Sequence, residues 1–483
     1  MLDNIINDRL KKLKELRDNG VNPYPARVKR TITAKAVVLD FSKLSKSKKK
    51  VFLVGRILAF RDQGNLIFCD LLDESGKIQC ILKKDTLKNY TLLKKGLDIG
   101  DFIQVGGVAF LTKKGEKSIE AREAGIIAKS LLPLPSEWYG VKDIETRLRK
   151  RYLDILLNPD AKNIFISKAK FWNTFRRRLN ETGYLEVETP VLESIPGGAE
   201  AEPFKTHHNA LDEDYYLRIS LELPLKKLLV AGYDKVFEIG RIFRNEGIDK
   251  EHLQDYTQLE FYSAYEDYND LMKFVEKLYK EVIKNTLGKL KSNYEGNVIN
   301  WGSKWMKVDY VSEFKKANKI DPSNTTKEEL INRAKELKIE FDNQIGVGRL
   351  IDLIFKKTVR SKLIQPCFLI NPPVEIEPLA KRAENNSKVV ERMQVIAGGT
   401  ELGKGFSELN DPADQRQRFE DQMKLRESGD KEAQMLDNDY LEAMEYGMPP
   451  SAGFGVSERL FAVIMDLPVR ETVIFPLMRK KEN

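Results

Sequence analysis

The chain contains few of the residues that metal sites and disulfides require. Its 483 residues include three cysteines and three histidines, and Cys69, Cys80 and Cys367 lack the paired spacing of a zinc site. A sparse, odd cysteine count is typical of a reducing compartment. There is no apolar run long enough to span a bilayer and no signal-peptide pattern at the N-terminus. We therefore expect a cytoplasmic protein without structural zinc or membrane contact.

Two common catalytic patterns are also missing from the sequence. It has no Walker-type phosphate loop and no convincing Ser-His-Asp set, which argues against P-loop nucleotide hydrolysis and triad chemistry. The hydrophobic content of 41% is sufficient for packed cores. A chain of this length predicts two or three domains.

Positive charge is concentrated near the N-terminus. The whole chain has a formal net charge of +8, whereas residues 1–50 alone hold 14 Lys/Arg against 5 Asp/Glu. Within residues 3–18, apolar side chains recur at helical spacing among basic ones, at Ile6, Leu10, Leu13 and Leu16. We predict a basic amphipathic helix and arm that contact a polyanion such as nucleic acid, although a solubilising tail would have the same charge.

Residues 51–130 read as about five short strands, which predicts a small barrel of the OB type. Other small β-domains would give the same pattern. Binding of single-stranded bases needs an aromatic platform with polar groups around it. The candidates for this role are Arg56, Phe68, Gln79 and Glu116, each of which could equally be a core or surface residue.

The stretch from Val236 to Tyr262 has the most informative pattern. It reads as two strand-like runs, VFEIGRIFRNEG and QLEFY, separated by a charged turn. Residues two apart share one face of a strand, so Arg244 and Glu246 fall together. The same rule groups Tyr256, Gln258, Glu260 and Tyr262 on one face of the second run. Arginine and carboxylates interleaved with aromatics indicate a binding surface, but an exposed hairpin with a chance ion-pair ladder is the alternative.

This hairpin resembles the signature hairpin of class II aminoacyl-tRNA synthetases, and the lysyl-tRNA synthetases resemble it best. The resemblance extends over nearly the full length. GRILAF and DLLDESGKIQ resemble the anticodon-binding barrel of that family, and LPLPSEWYGVKD resembles its linker. The catalytic stretches follow in the family order, as FRRRLNETGYLEVETPVL, PGGAEAEPFKTHHNALDEDYYLRISLELPLK, FEIGRIFRNEG, TELGKGFSELNDPADQRQRFEDQ and AGFGVSERL.

The resemblance implies an α+β protein, with an OB-type barrel followed by a class II catalytic domain whose antiparallel sheet of six to seven strands is flanked by helices. The expected segments are a basic helix and arm at 1–50, the anticodon-binding barrel at 51–130, a linker at 131–145 and the catalytic domain at 146–483. Within the catalytic domain, residues 264–365 read as mainly helical. The first motif, closed by Pro190, implies a homodimer interface.

The implied reaction is the ATP-dependent ligation of L-lysine to its tRNA. The lysine carboxylate would attack the α-phosphate of ATP to give lysyl-adenylate and pyrophosphate. The lysyl group would then pass to the terminal ribose of a lysine-accepting tRNA, with release of AMP. Such transfers depend on positioning and charge stabilisation rather than on a protein nucleophile. Mg²⁺ is the implied cofactor.

The resemblance assigns catalytic roles to Arg244 and Arg459. Arg244 would bridge the lysine carboxylate and the α-phosphate, because its planar guanidinium binds oxyanions through two hydrogen bonds. Glu246 would accept a hydrogen bond from the adenine amino group, Tyr256 would stack on adenine, and His252 would lie near the phosphates. Arg459 would cap the other adenine face or a phosphate, although a salt bridge to a neighbouring carboxylate would also explain it.

Lysine is cationic at both ends, so its pocket needs carboxylates. The resemblance puts Glu222 and the backbone of Gly198 near the α-amino group, and Glu408 and Tyr262 near the ε-ammonium. Phe406 would wall the aliphatic stem. The full expected amino-acid site is Gly198, Glu222, Glu260, Tyr262, Lys404, Phe406 and Glu408. A pocket for aspartate would instead need cations, and a site built to bind a polar group rejects substrates without it.

The sequence departs from the family at several positions. Lys404 stands where the family has asparagine, and Gln394 stands where it has a second metal-binding glutamate. Glu401 remains as the expected Mg²⁺ ligand. Glu251 replaces an arginine, and VSER in the third motif is one residue shorter than usual. We expect Lys404 to pair with the lysine carboxylate or with a phosphate.

Two other functions remain open at this point. A class II ligase for another amino acid would account for Lys404 and Gln394, although Glu222, Glu260 and Glu408 argue against aspartate or asparagine. A non-catalytic RNA-binding protein could also be built on a synthetase fold. The retained arginines of the second and third motifs argue against that alternative.

Overall fold

The computed structural model describes residues 2–135, 143–247, 253–342, 345–430 and 432–480, and the chain divides into two compact units, Met1–Val141 and Lys142–Asn483. The first unit is built on strands with alternating burial. In its first strand Val51, Leu53 and Ile57 are buried in the core of the unit, because successive side chains of a strand point to opposite faces.

Five strands close this unit into a barrel. The strands are β1 (Val51–Asp62), β2 (Leu66–Asp73), β3 (Gly76–Lys83), β4 (Phe102–Leu111) and β5 (Lys117–Ala128). The helices are α1 (Leu2–Asp18), α2 (Ala34–Leu39), α3 (Phe41–Ser47) and α4 (Tyr90–Gly96). The closed order is β1-β2-β3-β5-β4, in which the β3–β5 pair is parallel and the others are antiparallel. The predicted five-stranded barrel is therefore confirmed.

The basic helix α1 packs against this barrel. Leu13 and Leu16 are buried, whereas Leu10 is 44% exposed, so the buried stripe is narrower than the sequence pattern predicted. Arg9 is buried instead of Leu10. Its guanidinium donates hydrogen bonds to the backbone carbonyls of Ser130, Leu132 and Ile99 at 2.9–3.0 Å. A long cationic side chain can thus be buried where backbone oxygens satisfy it.

The second unit contains the remaining helices and strands. Its helices are α5 (Ile144–Arg149), α6 (Arg151–Leu157), α7 (Pro159–Glu181), α8 (Glu222–Val230), α9 (Tyr268–Leu287), α10 (Tyr310–Asn318), α11 (Lys327–Glu336), α12 (Val347–Thr358), α13 (Pro412–Glu427), α14 (Asn438–Glu445) and α15 (Arg459–Met465). Its strands are β6 (Leu185–Glu186), β7 (Leu192–Glu193), β8 (Lys205–His208), β9 (Glu213–Leu217), β10 (Lys235–Phe243), β11 (Asp255–Ala264), β12 (Lys291–Tyr294), β13 (Asn297–Asn300), β14 (Met306–Asp309), β15 (Cys367–Ile370), β16 (Arg382–Ala383), β17 (Asn386–Val390), β18 (Arg392–Ala397), β19 (Thr400–Ser407) and β20 (Ser451–Ser457). Short 3-10 turns lie at Arg360–Lys362, Val374–Ile376 and Val469–Thr472.

The central feature of this unit is an eight-stranded sheet with the order β14-β15-β18-β19-β20-β11-β10-β6. The six inner strands are antiparallel, whereas β14 and β6 pair in parallel with their neighbours at the two edges. The expected class II sheet is therefore present, but it has eight strands where six to seven were expected, and its two edge strands pair in parallel. Both edge strands are short, and β6 follows directly after α7, so neither could be recognised from periodicity.

One face of the sheet is covered by α7 and α9. Helix α9 begins at Asp267, whose side chain accepts hydrogen bonds from the backbone N–H groups of Asn269 and Asp270. Its apolar stripe packs into the largest core cluster, together with Phe171 and Phe175 of α7. The covered face of the sheet is buried in this apolar core, which leaves the opposite face for a binding site.

The stretch 264–365 contains α9 to α12, as its charged helical pattern predicted, but it also contains the three short strands β12 to β14. Residues 136–142 of the predicted linker lie outside the described residues. Among the helices of the described ranges, none is both long and apolar enough to cross a membrane.

We expect Lys129→Met to destabilise the barrel by about 3–5 kcal/mol, because it leaves a buried carboxylate without its cation. The Lys129 ammonium is fully buried, donates to Asp101 at 2.9 Å and to the Gly96 carbonyl at 2.8 Å, and Asp101 is fully buried too. Lys12→Met is the matched control. Lys12 is partly exposed and pairs with Asp98, which keeps Lys129 as a second partner, so the control should lose less than about 1 kcal/mol.

Amide hydrogen exchange of barrel peptides would measure both losses in the full chain. Similar losses in Lys129→Met and Lys12→Met would contradict the role of the buried pair.

Candidate active site

A cavity of about 370 Å³ opens on the uncovered face of the sheet, above β18, β19, β20 and β11. Strand register explains its composition. Across these four strands one row consists of Gln394, Lys404, Gly455 and Glu260, and the next row consists of Arg392, Phe406, Gly453 and Tyr262. The two rows lie two residues apart along each strand and therefore share a face. All eight residues line the cavity, and the two glycines leave the middle of its floor without side chains.

A buried lysine links two carboxylates at one end of the cavity. Lys226 on α8 has no exposed side-chain surface, and its ammonium lies 2.5 Å from Oε1 of Glu222 and pairs also with Oε2 of Glu408. The same ammonium stands 5.2 Å from the ring centre of Phe406. Glu222 and Glu408 are thus held together by a cation of the protein itself.

The protonation of this cluster follows from its burial. Burial raises the pKa of Glu222 to about 7 and that of Glu408 well above its ordinary value. Burial also acts to lower the pKa of Lys226, but Glu222 and Glu408 outweigh it and hold that pKa above its ordinary value. The lysine is therefore charged at neutral pH, and the two carboxylates share an incomplete negative charge until another cation arrives.

Glu260 lies at the β11 end of the first row, and both of its carboxylate oxygens accept hydrogen bonds. Its Oε1 accepts hydrogen bonds from the Ser220 hydroxyl at 2.7 Å and the Leu221 backbone N–H at 3.0 Å. Its Oε2 accepts from the Tyr262 hydroxyl at 2.8 Å. Because that hydroxyl donates to Glu260, its oxygen lone pairs remain oriented to accept a hydrogen bond from a cationic group. Burial raises the pKa of Tyr262 well above its ordinary value, so the phenol stays neutral.

Gly198 borders the same end of the cavity. Its φ is +81°, and a Cβ there would approach the side chains of Glu222 and Ser220 at 2.9–3.0 Å. Only glycine fits this combination of a left-handed backbone and close neighbours without strain. The backbone of Gly198 therefore lies directly against Glu222.

The other end of the cavity is rich in arginine and aromatic surface. Arg244 follows β10, and its guanidinium lies 5.8 Å from the ring centre of Tyr256 and donates to the Ile219 carbonyl at 3.2 Å. Glu246 and Arg459 line the same cavity, and Arg459 is the first residue of α15. The predicted ATP residues are thus brought together, except for His252, which lies outside the described residues.

The predicted metal position contains a single carboxylate. The amide of Gln394 donates to Oε2 of Glu401 at 2.7 Å, and Arg392 donates to the amide oxygen of Gln394 at 2.8 Å. In the described ranges no three acidic, histidine or cysteine side chains form a cluster able to hold a metal ion. One carboxylate fits Mg²⁺ that arrives with phosphate oxygens, since Mg²⁺ is commonly bound by one or two carboxylates plus the substrate. It does not fit a metal ion held by protein ligands alone.

Lys404 is paired within the protein rather than left to face the cavity alone. Its ammonium lies 2.8 Å from Oε2 of Glu377. Burial acts to lower the pKa of Lys404, but Glu377 and Glu401 outweigh it and hold that pKa above its ordinary value. Lys404 therefore remains cationic.

Comparison with known proteins agrees with this geometry. Residues 143–479 match the family model of tRNA synthetases class II (D, K and N), and residues 51–127 match that of the OB-fold nucleic acid binding domain. The chain belongs to the class II tRNA synthetases. The resemblance inferred from the motifs is thereby confirmed.

The relatives of this class II synthetase are similar over their whole length. A lysine–tRNA ligase of Moorella thermoacetica is 43% identical over 480 residues, covering 98% of both chains. The enzymes of that name from Carboxydothermus hydrogenoformans and Bacillus subtilis are 42% and 41% identical and cover 99–100% of this chain. The match thus includes the barrel as well as the catalytic sheet.

Three of the four base-binding candidates of the synthetase, Phe68, Gln79 and Glu116, lie near one another on the outside of its barrel. Arg56 lies apart from them, because its partner on β2 is Leu72, four residues along that strand from Phe68. Arg56, Phe68 and Gln79 point outward from β1, β2 and β3, and the amide of Gln79 donates to Glu116 at 3.2 Å. Arg56 lies 4.3 Å from the ring centre of Phe102. This outer surface of β2 and β3 is the part of an OB-fold that binds oligonucleotides.

Pro190 lies in the loop between β6 and β7 of the synthetase and is exposed. Three exposed apolar side chains surround it in the sequence, Leu185 (47%), Val191 (39%) and Leu192 (48%). Clustered exposed apolar side chains are common at interaction surfaces.

Sequence reasoning missed several residues of the synthetase site. Lys226 follows Glu222 by four positions on α8, so the helical i, i+4 rule could have paired them. Arg392 faces the cavity because it shares a face of β18 with Gln394. Glu377 ends a 3-10 turn far from the motifs, and no sequence signal connects it with Lys404.

We expect Gly453→Ala to lower the free energy of unfolding by about 1–3 kcal/mol, because a Cβ there would overlap the Tyr262 ring and the Glu408 carboxylate. Gly455→Ala is the control, since the nearest atom to its Cβ would be Cγ of Glu260 at 3.5 Å. Denaturant unfolding followed by tryptophan fluorescence would detect the difference, as Trp301 and Trp305 lie in the core of this unit. Equal destabilisation by both substitutions would contradict the close packing at Gly453.

Proposed function

We propose that this class II synthetase is a lysine–tRNA ligase, which forms lysyl-adenylate from L-lysine and ATP and then transfers the lysyl group to tRNA. The observation that carries the choice of amino acid is a group of three carboxylates, of which Glu222 and Glu260 line one end of the cavity and Glu408 lies buried beside it. Glu222 and Glu408 share the ammonium of Lys226. A cationic amino acid completes this charge balance, whereas aspartate would add to the excess of negative charge.

In this proposal the ε-ammonium of lysine reaches Glu408 and the oxygen of Tyr262. Phe406 borders the aliphatic stem, and the α-amino group meets Glu222 and the backbone of Gly198. Glu260 acts by orienting Tyr262, because its own oxygens are already occupied by protein donors. The carboxylate of lysine is then directed toward the arginine end of the cavity, while Lys404 is paired with Glu377.

ATP occupies the opposite end in the same proposal. Tyr256 and Arg459 enclose the adenine or its phosphates, Glu246 accepts the adenine amino group, and His252 belongs near the phosphates. Arg244 holds the attacking carboxylate and the α-phosphate together and stabilises the charge that develops during attack. Mg²⁺, when bound with ATP through Glu401, supplies further positive charge to the phosphates.

For tRNA we propose residues 51–130 as the anticodon-binding domain, with Arg56, Phe68, Gln79 and Glu116 as its base-contacting residues. Residues 131–145 would be the linker and 146–483 the catalytic domain. The N-terminal segment 1–50 adds positive charge to the same unit. We also propose a homodimer whose interface includes Pro190, and a cytoplasmic location.

The decisive experiment is amino-acid-dependent ATP–pyrophosphate exchange, run with each of the twenty amino acids and with ornithine. We expect exchange with lysine alone. Exchange with a different amino acid would keep the adenylation chemistry but refute the specificity. No exchange with any of them, in folded protein with Mg²⁺, would refute the enzymatic function and favour RNA binding alone.

We expect Arg244→Ala to abolish adenylate formation, lowering its rate at least about 100-fold, because a preorganised oxyanion contact is lost. Arg241→Ala is the matched control, since Arg241 lies on β10 three residues before Arg244 but pairs with Asp255 and Thr257 outside the cavity. Single-turnover adenylate formation measures the rate, and tRNA affinity should stay unchanged in both variants. A rate close to that of the parent in Arg244→Ala would refute the role of Arg244.

We expect Phe68→Ala to weaken tRNA charging about tenfold in kcat/KM without changing lysine-dependent exchange, because one base would lose its stacking partner. Leu111→Ala removes an exposed apolar side chain from β4 of the same barrel and serves as the control. Charging kinetics of Phe68→Ala that match those of Leu111→Ala would remove Phe68 from the tRNA contact surface.

A further inference from the structure

Lys404 brings a positive charge into the middle of the cavity floor. It stands directly opposite Gly455, and Gly455 stands opposite Glu260, so only a glycine separates Lys404 from Glu260 along that row. Arg392 lies on the same face one row away. A substrate with two ammonium groups would be repelled by these cations if nothing compensated them.

Glu377 is the carboxylate that compensates them. Its Oε2 lies 2.8 Å from the Lys404 ammonium and 3.6 Å from the nearest guanidinium nitrogen of Arg392. Glu377 is only 4% exposed, and its Oε2 lacks a conventional hydrogen bond within the described protein. A buried carboxylate in this position is stabilised mainly by the two cations, and it neutralises them in return.

Other nearby carboxylates are less suited to this task. Glu401 is engaged by the amide of Gln394 and is the residue that we assign to Mg²⁺. Burial raises the pKa of Glu200, which also lines the cavity, to about 7, so its charge at neutral pH is partial. Glu222 and Glu408 already pair with Lys226. The compensation of Lys404 therefore falls mainly to Glu377, which is the carboxylate that pairs with it directly.

We propose that Glu377 is a positioning residue for amino-acid specificity, which admits a doubly cationic substrate by neutralising Lys404 and Arg392 at the cavity floor. This inference rests on the proposed function. This role predicts opposite effects on the binding of lysine and of ATP, whereas a purely structural role predicts that both are weakened. Loss of the Glu377 charge leaves extra positive charge, which repels lysine but attracts the anionic phosphates of ATP.

The test is a double-substitution cycle in the full chain, using ATP–pyrophosphate exchange to determine KM for lysine and KM for ATP. We expect Glu377→Gln to raise KM for lysine about tenfold or more, which is the size of effect expected from one uncompensated charge several ångströms away. The same change should leave KM for ATP unchanged or lower it. In the Lys404→Met background the same Glu377→Gln change should alter KM for lysine less than about threefold, because the nearer of the two cations that it exposes is absent and only the more distant Arg392 remains.

Two further variants make the result specific. Glu377→Ser is a second neutral replacement and should reproduce the split between lysine and ATP if the glutamine variant folds poorly. Glu266→Gln removes a carboxylate that pairs with Lys235 outside the cavity, and should change neither KM.

Equal increases in both KM values, or an effect of Glu377→Gln that is the same with and without Lys404, would overturn the inference alone. Absence of lysine-dependent exchange in the parent protein would refute the proposed function and this inference with it.

Discussion

Buried negative charge is the constraint on which this active site depends. Glu222, Glu260 and Glu408 lie at the bottom of a sheet face where water has little access, and a buried carboxylate is unfavourable unless cations or hydrogen-bond donors surround it. The protein supplies these partners unequally. Glu260 receives donors on both oxygens, whereas Glu222 and Glu408 share a single lysine. We propose that this incomplete compensation of Glu222 and Glu408 favours a cationic ligand.

The antiparallel sheet turns this requirement into a definite geometry. Because neighbouring strands are in register, residues that are more than a hundred positions apart in the chain, such as Glu260 and Lys404, are aligned in one row. Glycines at 453 and 455 leave room above the middle strand, and the tight contact of Gly453 with Tyr262 and Glu408 fixes the depth of the amino-acid end. The helices α7 and α9 pack against the opposite face of the sheet. A change of one residue in register would turn every functional side chain of a strand toward these helices.

Much of this arrangement could be predicted from the sequence, for a physical reason. Strand periodicity alone grouped Tyr256, Glu260 and Tyr262 on one face, and alternation also predicted the barrel. The parallel edge strands could not be predicted, since β6 has two residues and β14 has four, too few to show a period. The position of Glu377 in the site could not be predicted either, for a different reason. Its contact with Lys404 depends on how a loop folds over the sheet, and no local pattern encodes that approach.

Charge is distributed along the cavity in a way that bears on the orientation of both substrates. Glu222 and Glu408 lie at the end formed by α8 and β19, whereas Arg244 and Arg459, together with Glu246, lie at the end formed by β10 and α15. A lysine bound with its ammonium groups among the carboxylates has its own carboxylate directed toward the arginines, where the α-phosphate of ATP is also drawn. Lys404 and Arg392 stand between these ends, and they would repel the ammonium groups if Glu377 did not compensate them. In the proposed binding mode, the residues that select a cationic amino acid also orient it for attack, so that binding specificity and positioning for adenylation arise from one gradient of charge.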